Sequence, residues 1–197
     1  REAEHARMAA AIVMSDDNRF GRVGARIHDI THPHWQADVD ILLEHAGSRL
    51  AFITLPKVRS VADARAQMDH VRASQQRLGI TRQIPFHVLI ETHGGVRDVH
   101  AIAALEGVEV LDFGLMDFVS AHQGAIPASA MKSPGQFTPP LVVRAKCEIA
   151  AAALANGVLP AHNVTTELDD PQLAGDNARR ARDEFGFLRM WSIHPTQ

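Results

Sequence analysis

Twice in the middle of the chain a short apolar run stops at strand length and hands over to a carboxylate. The first, Ile84-Pro85-Phe86-His87-Val88-Leu89-Ile90, ends on Glu91 and is followed at once by Thr92-His93-Gly94-Gly95. The second, Val108-Glu109-Val110-Leu111-Asp112-Phe113-Gly114, reaches Asp117 just beyond its tip. Runs this short, rich in β-branched and aromatic residues and closed by glycine, read as buried strands rather than helix segments. A buried strand that delivers a polar side chain where its loop begins is built like the wall of an α/β active site.

The rest of the chain keeps the same rhythm. Residues 1–14 are helical in pattern, with Met8, Ile12 and Val13 on one face. A strand is expected at 23–28, a helix at 35–46 with Trp35, Val39, Leu42 and Leu43 inward, and a second strand at 50–55. A helix over 61–79 follows, with Val61, Ala64, Met68 and Val71 at the 3–4 spacing of an apolar stripe. After the Glu91 strand come a helix at 96–105 and the strand that leads to Asp117. Residues 120–140, with Gly124, Pro127, Ser133-Pro134-Gly135 and Pro139-Pro140, read as a long polar loop, and a loop that long in a compact domain is usually functional. A helix at 141–156, a strand at 158–162, a helix at 171–185 and a strand at 188–193 complete the reading.

Alternating strands and helices build a parallel sheet covered by helices. Six strands fall short of the eight, over about 250 residues, that close a β/α barrel. Polar residues end nearly every strand, namely Arg26 and His28, Lys57, Glu91, Asp117, Asn163 and His194. That distribution favours a barrel over a doubly wound sheet, which gathers its polar ends at one crevice. The expectation is therefore one domain over residues 1–197: a partial (β/α)8 TIM barrel with about six of its eight units.

Composition narrows the partners. A net charge of -3 with both signs scattered along the sequence offers no basic stripe to a nucleic acid. No apolar run approaches the ~20 residues of a membrane span, and the first residues lack a signal-peptide core, so a cytoplasmic protein is expected. The single cysteine, Cys147, excludes a disulfide framework and reads as a buried structural thiol rather than a nucleophile. The 12 histidines bring neither a His-x-x-x-His pair nor cysteine partners, so a closed zinc site is not expected. His32 and His34 are read as turn residues; His93, His122 and His194 either border the pocket or, the preferred reading, serve as packing or capping groups.

Two carboxylates on successive strand ends can share one Mg²⁺, which takes one or two carboxylate oxygens and leaves its other positions to water and substrate. The alternative is that Glu91 caps the following helix and Asp117 lies on a solvated turn, and spacing alone leaves both open. Arg26 suits a substrate carboxylate through its planar fork, or else forms a surface ion pair. Lys57 at a strand end raises Schiff-base chemistry, which requires a desolvated amine. A lysine paired with a neighbouring carboxylate is the preferred reading.

Five ordered pieces resemble the HpcH/HpaI aldolase and citrate lyase beta-subunit superfamily: Ala25-Arg26-Ile27-His28, Leu55-Pro56-Lys57-Val58, Ile90-Glu91-Thr92, Phe113-Gly114-Leu115-Met116-Asp117 and Ile193-His194-Pro195-Thr196-Gln197. The resemblance implies a TIM barrel of the phosphoenolpyruvate/pyruvate type and a carbon–carbon lyase acting on a small hydroxyacyl-CoA such as a malyl, citramalyl or citryl thioester. A 2-oxo acid aldolase without CoA and a silent acyl-CoA-binding homologue are the alternatives. It implies Mg²⁺ on Glu91 and Asp117, Arg26 as the catalytic and substrate-binding cation, and Lys57, Gly114 and Asp117 around the substrate. It further implies a homo-oligomer, a trimer or hexamer. His28 departs from the family's usual Asn. The family's two earlier strands and its later cap, with an acid/base Asp serving a neighbouring subunit, have no counterpart in residues 1–197. The 197-residue piece alone is therefore expected to be inactive, with a gap between its first and last strands.

Overall fold

The computed structural model describes residues 2–197. Six parallel strands lie in the order of the sequence: β1 (Ala25–Arg26), β2 (Ile53–Leu55), β3 (Phe86–Ile90), β4 (Val108–Phe113), β5 (Leu159–His162) and β6 (Arg189–Met190). Sequential order with parallel pairing means that every connection is a crossover, which carries a helix back over the same face. The sheet is curled into part of a barrel, with β1 and β6 as its two edges. Both edge strands, and β2 between its two partners, are shorter than the six residues expected of each.

Strand periodicity sorts the side chains. Phe86, Val88 and Ile90 of β3 and Leu111 and Phe113 of β4 enter the core beneath the helices. The alternate residues, His87 and Leu89, then Val110 and Asp112, are buried on the opposite, concave face. Continued by two residues beyond Leu89 and Asp112, the same alternation carries Glu91 and Gly114 to the concave mouth.

The outer layer contains α1 (Glu2–Met14), α2 (Trp35–Ala46), α3 (Val61–Arg77), α4 (His93–Arg97), α5 (Val99–Ala103), α6 (Leu115–Ala121), α7 (Pro140–Ala155) and α8 (Pro171–Phe185). Helix α1 buries Val13, as expected, together with Ala6 and Ala10, whereas Met8 and Ile12, expected beside Val13, are each 59% exposed. Alanines let α1 lie close against α2, and a reading weighted by side-chain size picks out the wrong stripe. The expected helix at 96–105 is two short helices that meet at Asp98, whose carboxylate accepts the Val61 N–H at 3.1 Å. Cys147 is exposed on α7, correcting its assignment to the core.

The segment at 120–140 is not a plain polar loop. It starts inside α6, contains 3₁₀ turns at Ala128–Met131 and Gly135–Phe137, and buries Ile126, Ala130 and Phe137. Its buried Gln136 donates to Ser133 Oγ at 3.0 Å and accepts from Asn163 Nδ2 at 2.7 Å, fastening the segment to the tip of β5. No helix among the described residues is long and apolar enough to cross a membrane.

Candidate active site at the strand mouths

Glu91 follows the last residue of β3 and is only 5% exposed. It does not cap the next helix. That role belongs to Thr92, whose hydroxyl accepts the Gly95 N–H at 2.9 Å and donates to the Val58 carbonyl at 2.6 Å. The two glycines after His93 permit this clasp: a Cβ on Gly94 would stand 1.8 Å from the Arg59 carbonyl, and one on Gly95 2.7 Å from that of Val58. The β3 tip is thus pinned to the β2 loop, and Glu91 Oε1 accepts the Lys57 N–H at 2.7 Å. Lys57 adopts a left-handed backbone with φ of 50°, a conformation that costs a non-glycine residue roughly 1–2 kcal/mol. The strain aims its amide at the carboxylate.

On the other side of Glu91 stands Gly114, where a Cβ would lie 2.1 Å from Glu91 Oε2. Only glycine leaves room for the carboxylate there. Burial raises the Glu91 carboxyl above the ordinary range, and the Asp117 charge pushes it the same way. The Lys57 N–H and the Lys57 and Arg26 charges oppose both. Asp117 sits in the first turn of α6, about half exposed, with Lys57 Nζ 3.3 Å from its Oδ1. The amine is half exposed and ion-paired, the opposite of the desolvated lysine that a Schiff base needs.

These groups surround a cavity of about 230 Å³, lined by Arg26, Glu91, Gly114, Asp117 and Asn163 among others. The sequence-predicted residues therefore converge, with Lys57 beside the cavity at Asp117. Apolar walls come from Leu89, Phe113, Leu115, Met116, Val164, Trp191 and Ile193, which strand-end reasoning did not single out. A larger cavity of about 1000 Å³ lies at the opposite ends of β3, β4 and β5, away from the carboxylates.

Charge and shape fit a divalent cation at Glu91 and Asp117. A buried carboxyl that the neighbouring Asp117 charge pushes upward invites one, and Gly114 keeps the space beside Glu91 Oε2 open. No group of three or more His, Cys, Asp or Glu side chains among the described residues has metal-binding geometry, so protein ligands alone would not complete the shell. Sparse ligation of that kind suits Mg²⁺, which keeps several waters or substrate oxygens.

The histidines lie elsewhere. His28 Nδ1 is 2.5 Å from Asp38 Oδ2, and its ring stacks on His32 at 3.8 Å. His93 and His122 pack at 4.2 Å and border a separate cavity of about 50 Å³, while exposed His194 engages Thr196 at 2.6 Å.

Among the buried polar groups that were not foreseen are Lys146 and Asp112. Lys146 of α7 donates to Asn163 Oδ1 at 2.9 Å, contacts His162 Nε2, and lies 4.6 Å from the Phe137 ring centroid. Burial holds this amine well below the ordinary lysine range, and His162 is lowered to about 2 by burial and then by Lys146. Asp112, 1% exposed, accepts the Trp191 indole N–H at 2.7 Å. A lone carboxylate between Leu111 and Phe113 in a buried strand was the available signal for it.

The family profile described as HpcH/HpaI aldolase/citrate lyase matches residues 3–195. An L-malyl-CoA/beta-methylmalyl-CoA lyase from Cereibacter sphaeroides is 31% identical over 185 residues, covering 89% of this chain and 58% of the relative. The crystal structure of a citrate lyase from Burkholderia xenovorans superposes with a TM-score of 0.98 at 54% identity, covering 100% of this chain and 61% of the other. A citrate lyase beta subunit from Mycobacterium tuberculosis, complexed with oxaloacetate and magnesium, shares the fold at a TM-score of 0.67 and 22% identity, covering 87% of this chain and 67% of that one. The chain thus spans about three fifths of the length of the first two proteins.

Proposed function

The chain belongs to the HpcH/HpaI aldolase/citrate lyase family, and from that premise we propose that it forms most of the active-site barrel of a Mg²⁺-dependent carbon–carbon lyase. The substrate class is a small 3-hydroxyacyl-CoA of the malyl, citramalyl or citryl kind, split into an acyl-CoA and an oxo acid. The observation that carries this reading is the buried Glu91 carboxylate, set between the Lys57 amide and the space that Gly114 leaves open, with Asp117 beside it. The lyase names of the relatives support the reaction class.

Cleavage removes the proton of the 3-hydroxyl, breaks the bond between the carbons α and β to the thioester, and leaves the electron pair on the thioester as an enolate that must be protonated. In this proposal Glu91 and Asp117 hold the magnesium. The bound ion supplies Lewis-acid polarisation and a template for the oxygens of the oxo acid. Arg26, a planar cation lining the cavity, pairs with the carboxylate of the oxo acid half. Lys57 has two roles: its amide fixes Glu91 in one orientation, and its amine balances the charge of Asp117. Gly114 exposes its backbone to the substrate. The proton transfers belong to the family's cap Asp, and the homo-oligomer that would bring it in is part of the same proposal.

The test follows free CoA and oxo acid released from malyl-, citramalyl- and citryl-CoA by the full protein, with Mg²⁺ and after chelation. Magnesium-dependent release of both products from at least one thioester is expected. Cleavage that survives chelation would sink the metal mechanism, and splitting of the free hydroxy acid without CoA would move the chain to the aldolase class.

A further inference from the structure

We propose that Trp191 determines which oxo acids the cavity admits, and that Asp112 is the positioning residue that holds its ring. The choice of oxo acids as ligands rests on the lyase reading above. The geometry of the wall does not.

At about 230 Å³ the cavity is smaller than the roughly 300–1,000 Å³ usual for ligand pockets, so each wall residue limits what fits. Its polar groups, Arg26, Glu91, Asp117 and Asn163, fix charged and oxygen-bearing parts of a ligand. The substituent of the ligand must therefore meet the apolar wall, of which Trp191 carries the largest side chain. A tryptophan presents a broad, stiff face once its N–H has a partner.

Trp191 is fixed at both ends. Its backbone N–H donates to the His162 carbonyl at 3.0 Å, continuing the β5–β6 ladder. Its indole Nε1 donates to Asp112 Oδ1 at 2.7 Å, across the concave face from β6 to β4. Asp112 is itself held by burial on β4, and its Oδ2 has no hydrogen-bond partner among the described residues, with His87 Nδ1 3.9 Å away. A fully buried carboxyl with one oxygen committed to an indole is expensive for a fold to keep, whereas a hydrophobic residue at 112 would pack there without it. What the carboxyl secures is the orientation of the ring. Releasing the ring would let it rotate and change the cavity's width without removing any group that touches the charged end of a ligand.

The test is calorimetric binding of glyoxylate, pyruvate and 2-oxobutyrate in the presence of Mg²⁺ to the unsubstituted protein and to the Trp191→Ala, Asp112→Val and Asp112→Asn variants. One methylene in a fitted apolar pocket is worth about 10–200-fold. The unsubstituted protein should discriminate among the acids. Trp191→Ala should shift the affinity ratio of 2-oxobutyrate to glyoxylate by at least ~10-fold toward the larger acid, Asp112→Val should shift it the same way, and Asp112→Asn, which keeps an acceptor for the indole, should restore it. Uniform weakening of all three acids with an unchanged ranking would overturn the proposal while leaving the lyase reading intact. Binding of none of the acids to the unsubstituted protein would overturn both. Should the core variants fail to fold, Trp35→Phe leaves Trp191 as the sole indole. Its emission should then change as pyruvate saturates the site, and saturation with no change would count against the proposal.

Discussion

Single residues at the strand mouths are held in states that their chemistry makes costly, and each state predicts a measurement. Lys57 keeps a left-handed backbone to reach Glu91 with its amide while its half-exposed amine stays with Asp117. Borohydride reduction in the presence of pyruvate should therefore leave Lys57 unmodified by mass spectrometry, and an adduct at Lys57 would reverse the choice of metal over Schiff base. Asp112 behaves differently. Burial raises its carboxyl from 3.8 to about 7, with the Trp191 hydrogen bond and Arg189 opposing and Glu91 reinforcing the rise. The folded chain then keeps a proton that the unfolded chain has released, so this group's contribution to stability is fullest below about pH 4 and is lost as the pH rises to about 7. Asp112→Asn keeps the acceptor and cannot ionise. Between pH 5 and pH 8 the unsubstituted chain should lose about 2–3 kcal/mol relative to the variant in denaturant titrations, and equal losses in both would show that the carboxyl is not the buried acid described.

At the scale of elements, the β3 tip, the β2 loop and the start of α6 act as one clasp around a carboxylate. Gly114 joins it through absence, since a methyl group there would stand 2.1 Å from Glu91 Oε2. Gly114→Ala should displace that carboxylate, destabilise the chain by about 1–3 kcal/mol as overpacking does, and weaken Mg²⁺ binding at least tenfold by calorimetry. Unchanged metal affinity in a folded variant would remove Glu91 from the site. Much of this clasp was legible in the sequence, because a strand that ends on an acid leaves a short-range signal, and Glu91, Arg26, Gly114 and Asp117 do share one cavity. Legibility failed where long-range packing decided the outcome. Ala6 and Ala10 rather than Met8 and Ile12 face inward because the neighbouring helix comes close. Asp98 broke a helix that periodicity drew as continuous, since its carboxylate was needed at Val61. Neither the burial of Phe137 and Gln136 nor the pairing of Lys146 with Asn163 has any local pattern, because each depends on a partner many residues away.

For the whole molecule, six sequential parallel strands form an open curl whose mouth gathers every residue expected to bind metal or substrate, with Lys57 at the rim. The two edges differ in dress: Ala25 of β1 and Ile27 just after it are buried, while Leu188 and Ile193 on either side of β6 are exposed. The carboxylate pair stands between these edges, at the tips of the central strands, where the sheet is most firmly supported on both sides. Calorimetric titration of Mg²⁺ into the unsubstituted protein and into the Glu91→Gln and Asp117→Asn variants tests the metal assignment directly. Binding should be measurable in the first and absent from both variants, with thermal stability little changed because glutamine at 91 keeps an acceptor for the Lys57 N–H and Asp117 is half exposed. Metal affinity that is unchanged in both variants would contradict the assignment of Glu91 and Asp117 as the metal site.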